Sequence, residues 1–197
     1  MHPKRLTLET GYDFMQTKCV KKALKLAKKQ PPNRVWVSIP CTAWASIQNF
    51  NQKPSQRAAL HIAREESVHL LRNVVKVLKR VVGPNRHVYW EWPTRCHGWR
   101  VPELCAFFDE CLAKGHDVQR VRIDGCMYGL MAKGHAGPEG LRLKKAWTVL
   151  TTDPTFSACG RRCDGGHKTQ SHRRQRHLPF WFSIQVTWGG QSRSIGL

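Results

Sequence analysis

Arg34-Val35-Trp36-Val37-Ser38-Ile39-Pro40-Cys41 is the stretch whose reading decides the fold. Its first six residues are a short β-rich, mostly apolar run closed by a proline. That is the pattern of a buried strand in a parallel sheet, where both faces are covered and polar alternation fades. Cys41 then stands just past the C-terminal end of a strand, where parallel sheets collect their functional residues.

Upstream, residues 17–30 place Val20, Ala23, Leu24 and Ala27 on one stripe, with Lys21, Lys22, Lys25, Lys28 and Lys29 elsewhere. This predicts an amphipathic helix with a cationic outer face, stopped at Pro31-Pro32. Downstream, residues 55–82 keep a 3.6-residue apolar period through Leu71, Val74, Val75, Leu78, Val81 and Val82 until Gly83-Pro84 ends it, as one helix or two. A second strand spans 87–92 and ends at Pro93; a helix over 101–114 opens at Pro102 and stops at Gly115; further strands are expected over 118–123 and 146–152. Strand and helix alternate with glycine and proline between them, which argues for βαβ units. The expected fold class is therefore α/β, a Rossmann-like, mostly parallel sheet with helices on both faces.

The 197 residues suffice for one packed domain, read as 1–158, followed by a basic Cys/His-containing tail over 159–197. Residues 180–188 within that tail are strand-like and are read either as an edge strand or as a loosely attached segment. Lysine and arginine total 33 against 13 acidic residues, a formal charge of +20. From Phe14 through Arg64 there are ten basic residues and no acidic one. Such an excess draws polyanions by counterion release, so nucleic acid is the expected partner, DNA first and RNA as the alternative. No segment approaches the ~20 apolar residues of a membrane span. Residues 1–5 are followed by no apolar signal region, so the expected location is intracellular, cytoplasmic or nuclear, and not secreted. Free thiols are then the default for the eight cysteines, with Cys105 and Cys111 read as small buried hydrophobes.

Two residues stand out chemically. Cys41, rigid behind and open in front, is placed as a nucleophile would be, and the acid-free, lysine-rich surroundings favour its thiolate. The competing reading is a structural cysteine. Glu91 closes an otherwise apolar strand beside Trp90 and Trp92, where burial raises a carboxyl pKa toward neutrality. The alternative is an ion pair with Arg95 or Arg100. One crossover separates the two strands, so in a parallel sheet both residues converge on one crevice.

Pro40-Cys41 after a hydrophobic strand, and Glu91-Trp92-Pro93 at the end of the next, resemble the catalytic Pro-Cys and Glu-Asn-Val/Pro motifs of cytosine-C5 DNA methyltransferases. Gly11-Tyr12-Asp13-Phe14 looks like that family's cofactor-contacting Gly-Asp segment, and Met127-Tyr128-Gly129-Leu130 with Lys144-Lys145 and the following strand is similar to its Tyr-Gly and arginine-bearing segments. The pattern also resembles short methyltransferase-like proteins of phages and mobile elements, in which the string Arg161-Arg162-Cys163-Asp164-Gly165-Gly166-His167 has counterparts. The resemblance implies addition of Cys41 to C6 of a flipped-out cytosine, Glu91 at N3 and the exocyclic amine, and methyl transfer from S-adenosylmethionine bound near Asp13 and Pro40. It departs from the family where the glycine-rich methionine loop has no counterpart before Gly11 and where Trp92 and Thr148 replace an asparagine and an arginine. A non-enzymatic, basic nucleic-acid-binding protein that keeps the fold is the alternative.

Candidate nucleic-acid contacts are Trp44 and Gln48 in the loop after Cys41, Arg95, Lys144, Lys145, Arg161 and Arg162. Trp92 and Trp99 join Trp44 as expected base-stacking surfaces. Cys159, Cys163, His167 and His172 offer thiolate and imidazole ligands in the number that suits tetrahedral zinc.

Overall fold

In the computed structural model the sequence patterns become eight strands and three α-helices among the described residues, which are 4–49, 53–131, 141–171 and 183–187. In chain order the strands are β1 Lys4–Leu6, β2 Arg34–Ser38, β3 His87–Pro93, β4 Gln119–Asp124, β5 Arg142–Lys144, β6 Ala146–Thr151, β7 Thr169–Ser171 and β8 Ser183–Thr187. The helices are α1 Thr17–Lys29, α2 Pro54–Val81 and α3 Pro102–Ala113.

The residues that bury each helix explain why it forms. α1 turns Cys19, Val20, Ala23 and Ala27 inward, leaves its lysines in solvent, and ends on Lys28 and Lys29, whose charge suits a helix C-terminus. α2 is one continuous helix begun by Pro54 at its first turn, and only its second half is buried. Leu71, Val74, Leu78 and Val81 there are 0–1% exposed, and full burial of such a side chain contributes roughly 1.5–3 kcal/mol. The buried Asn73 donates to the Phe14 carbonyl at 2.8 Å, tying α2 to the approach to α1. α3 buries Leu104, Phe107, Phe108 and Cys111, while Cys105 is exposed, contrary to its expected burial.

Six strands form one mixed sheet in the order β1-β8-β2-β3-β6-β4, and β5 and β7 form a separate parallel pair. The expected mostly parallel sheet is corrected: within the six, β2–β3 is parallel, whereas β1–β8, β2–β8, β3–β6 and β4–β6 are antiparallel. The four strands β1, β2, β3 and β4 do share one direction. β8 and β6 run against them and wedge between β1 and β2 and between β3 and β4. An apolar strand pattern reports burial and carries no information about direction, so the reversed course of β6 and β8 was not legible. β8 is an internal strand of the sheet rather than an edge.

Helices on both faces are also corrected. Val35, Val37, Val88, Trp90 and Trp92 share a single core with the buried residues of α1, α2 and α3. The opposite face carries Trp36 stacked on Tyr89 at 5.4 Å, with Phe156 edge-on to both at 5.8 and 5.2 Å. Phe156 belongs to the 3-10 segment Pro154–Cys159, which Asp153 fastens: its carboxylate accepts from Tyr89 Oη at 2.5 Å and from Thr155 N and Oγ1 at 2.9 and 2.6 Å. Among the described residues no helix is long and apolar enough to cross a membrane.

Candidate active site at the Cys41–Glu91 crevice

β2 and β3 run parallel with Trp36 beside Tyr89 and Val37 beside Trp90, so their C-terminal ends fall together. Cys41 follows the first and Glu91 lies near the end of the second. The antiparallel β6 brings its N-terminal end to the same place, Trp147 pairing with Pro93, and this delivers Lys145 to the crevice. Had β6 been parallel, its start would lie at the opposite end of the sheet.

The rims are held by hydrogen bonds, the first of them buried. Trp92 is 1% exposed and its Nε1 donates to the Ile39 carbonyl at 2.8 Å, fixing the residue that leads into Pro40-Cys41. Trp99 Nε1 donates to the Pro93 carbonyl at 2.9 Å, and Ser46 Oγ to the Arg95 carbonyl at 2.9 Å. Trp92 and Trp99 are buried edge-on to each other, with ring centroids 5.5 Å apart. Their expected role as stacking surfaces is corrected, because both indoles are buried and close the core. Trp44 is partly buried, donates to Ser67 Oγ at 2.8 Å, and lies under the Arg64 guanidinium at 5.4 Å.

Cys41, 8% exposed, has its sulfur hydrogen-bonded to the Cys96 thiol. That bond and the nearby Lys145 ammonium hold the Cys41 thiol below the ordinary range, against the opposing effects of burial and of Glu91. Cys96 is pushed up by the same bond and by burial. Burial raises the Glu91 carboxyl, while the Trp36 indole N–H at 2.9 Å and Lys145 oppose the rise. Burial in turn lowers Lys145, and Glu91 and Cys41 resist that lowering. The crevice thus joins a thiol whose pKa is drawn down, a carboxyl whose pKa is pushed up and a lysine. Lys145, expected as a nucleic-acid contact, sits inside this group. Cys96 went unrecognised in the sequence because nothing in its spacing marks it; only the turn after β3 brings it to Cys41.

The other expected residues divide by position. Pro40 and Gln48, with Thr42, Ala43 and the first half of α2, line a cleft of about 720 Å³ beside the crevice. Asp13 is absent from that lining, and both its oxygens are engaged in the entry to α1: Oδ1 accepts from Met15 N at 2.9 Å and Oδ2 from Gln16 Nε2 at 2.8 Å. Asp13 thus stands outside the cleft that Pro40 and Gln48 line. Arg95, Lys144, Arg161 and Arg162 are exposed, as phosphate contacts require.

The expected zinc set is only partly gathered. Cys163 and His167 come together, but their third neighbour is Cys126. Cys159 is exposed and outside the group, and His172 lies outside the described residues. Cys126 is 37 positions from Cys163 and belongs to the 3-10 turn Gly125–Tyr128 after β4, so no local spacing links them. Compared with known proteins, the chain matches no family model, no curated protein and no solved structure.

Proposed function

We propose that this protein is a cytosine-C5 methyltransferase-like nucleic-acid-binding protein whose crevice engages an unstacked pyrimidine base through Cys41. The observation that carries the reading is the meeting of Cys41, Glu91 and Lys145 at the shared end of β2, β3 and β6, with the thiol's pKa drawn down and the carboxyl's pushed up. Both shifts run in the direction that addition to cytosine needs. The Cys41 sulfur forms a bond to C6, the C5–C6 π pair shifts to C4–C5, and the displaced N3–C4 pair takes a proton from Glu91 at N3. Lys145 balances the carboxylate left behind. Because Cys41 is 8% exposed, the base enters as the loop after it, residues 42–49, gives way. The net charge of +20 supplies affinity for the nucleic-acid backbone.

A second reading, a nucleic-acid-binding protein that transfers no methyl group, is favoured by the engagement of both Asp13 oxygens within its own turn. The two are separated by a pair of measurements. An oligonucleotide carrying 2-pyrimidinone in place of cytosine accepts a thiolate without any methyl donor, so the first reading expects a covalent adduct on denaturing gels that Cys41→Ala abolishes and Glu91→Gln slows. No adduct with the unaltered chain overturns it. Calorimetry with S-adenosylmethionine, with and without DNA, then decides methyl transfer: binding near micromolar supports it, and its absence in both conditions leaves nucleic-acid binding alone.

A further inference from the structure

From Gly160 to Lys168 the chain has no apolar side chain apart from Cys163. Such a segment has almost no hydrophobic burial to offset the entropy of holding it in place. Of its residues only Cys163 and His167 turn partly inward, and both are metal-ligand types. They turn toward the buried Cys126, and the three donor atoms lie within 4.8 Å of one another.

Cys163 Sγ is 3.8 Å from His167 Nε2. Tetrahedral zinc, with bonds of about 2.3 Å to sulfur and 2.0–2.1 Å to nitrogen, sets its donors roughly 3.5–3.8 Å apart. That pair is already spaced for the ion, and a small side-chain rotation brings Cys126 in. The outer contacts fit as well. Asp164 Oδ1 lies 4.0 Å from His167 Nδ1, on the side of the ring away from the sulfur, where a carboxylate orients a ligating imidazole. Asp124 fixes the arm's backbone by accepting from Cys163 N at 2.8 Å, and its own N–H donates to the Arg161 carbonyl at 2.8 Å. Gly165, at φ +84°, provides the left-handed turn that faces His167 back toward Cys163.

We propose that Cys126, Cys163 and His167 bind one zinc ion that fastens the basic segment 160–171 to the end of β4. Binding releases one proton from each thiol to solvent and leaves the imidazole neutral, so two thiolates balance the ion's charge. The fourth position faces solvent, where Cys163 and His167 are partly exposed. The site is independent of the chemistry at Cys41.

The test uses the full chain, purified from zinc-supplemented medium and dialysed. Elemental analysis is expected to find one zinc per chain, and replacement by Co²⁺ to give thiolate-to-metal charge-transfer absorption. Cys163→Ser and His167→Ala are expected to lose both signals, while Cys159→Ser, whose thiol is exposed, keeps them. Chelation is expected to accelerate tryptic cleavage after Lys168. The proposal is overturned by a zinc-free chain that gives no cobalt signal, by loss of metal in Cys159→Ser equal to that in Cys163→Ser, or by a Cys126–Cys163 disulfide found without metal. Cys163 and His167 are not core residues, and the cobalt spectrum of the unaltered chain requires no variant at all.

Discussion

The Trp36 indole donates its N–H to Glu91 Oε2 at 2.9 Å, reaching diagonally across the parallel β2–β3 pair on the face that the helices leave uncovered. The bond stabilises the ionised carboxylate against burial, which is the larger influence and raises the Glu91 pKa. Trp36→Phe keeps the stack on Tyr89 and removes only the donor. The Glu91 pKa is expected to climb further, and stability to fall by roughly 1–3 kcal/mol at those pH values where Glu91 is ionised, the range for a charged acceptor that loses its partner. The sign follows from linkage: with a raised folded-state pKa, the contribution to stability is intact below the ordinary carboxylate range and is lost as pH rises through the folded value. Carboxyl-carbon NMR titration of the two proteins reads the shift, and an unchanged or lower Glu91 pKa in the variant would sink the assignment.

Cys96→Ala removes the largest influence that lowers Cys41. The pH at which Cys41 becomes reactive toward iodoacetamide should then move upward, and Lys145→Met should move it the same way by a smaller step, because the Lys145 effect ranks after the hydrogen bond. Peptide mapping of alkylation across pH, with Cys41→Ala as the blank, gives the profile. A profile that stays in place in Cys96→Ala would show that the thiol pair does not set the nucleophile.

Trp90 and Trp92 are both buried in the same core, yet they differ in one bond. Trp92 Nε1 holds the Ile39 carbonyl, whereas among the described residues Trp90 Nε1 finds no acceptor. Trp90→Phe discards an unsatisfied N–H along with its apolar area, while Trp92→Phe leaves a buried carbonyl unpaired. The second substitution is expected to be the more destabilising by about 1–3 kcal/mol in chemical denaturation. Equal losses would mean that ring volume alone matters at both sites.

How much of this was legible depended on the range over which each feature is encoded. Pro40-Cys41 and Glu91 could be read because each ends a strand whose burial pattern is local. The three helices could be read from stripe and proline. Strand direction could not, and with it went Lys145, which reaches the crevice only because β6 enters the sheet antiparallel. Cys126 was hidden for a related reason: it meets Cys163 through the end of β4 and an arm that Asp124 holds, a meeting that no spacing in the chain announces.

Glu110 on α3 receives Lys114 Nζ at 2.6 Å and the Lys79 ammonium from α2, and these bonds draw its pKa down to about 2. Because the folded-state value is depressed, the stabilisation is present above the ordinary carboxylate pKa and disappears as pH falls toward 2. Glu110→Gln is expected to flatten that part of the acid-unfolding curve and to leave stability above pH ~5 only slightly lower, the usual outcome for an exposed ion pair. Acid titration followed by circular dichroism makes the comparison, and an unaltered curve would show that the α2–α3 bridge carries no stability.

Lys21, Lys25 and Lys28 are exposed along one side of α1, within the stretch that lacks acidic residues. If that face meets phosphates, replacing the three by glutamine should weaken binding to DNA of any sequence and make the plot of log K against log salt shallower by about 0.9 for each phosphate that is no longer neutralised. Folding should be unaffected, since surface substitutions of this kind stay within about 0.5 kcal/mol. Fluorescence anisotropy at several salt concentrations measures the slope. A shallower slope in the triple variant places α1 in the interface, an unchanged slope moves the interface to Arg95, Lys144, Arg161 and Arg162, and a flat response in the unaltered chain would remove nucleic acid as the partner.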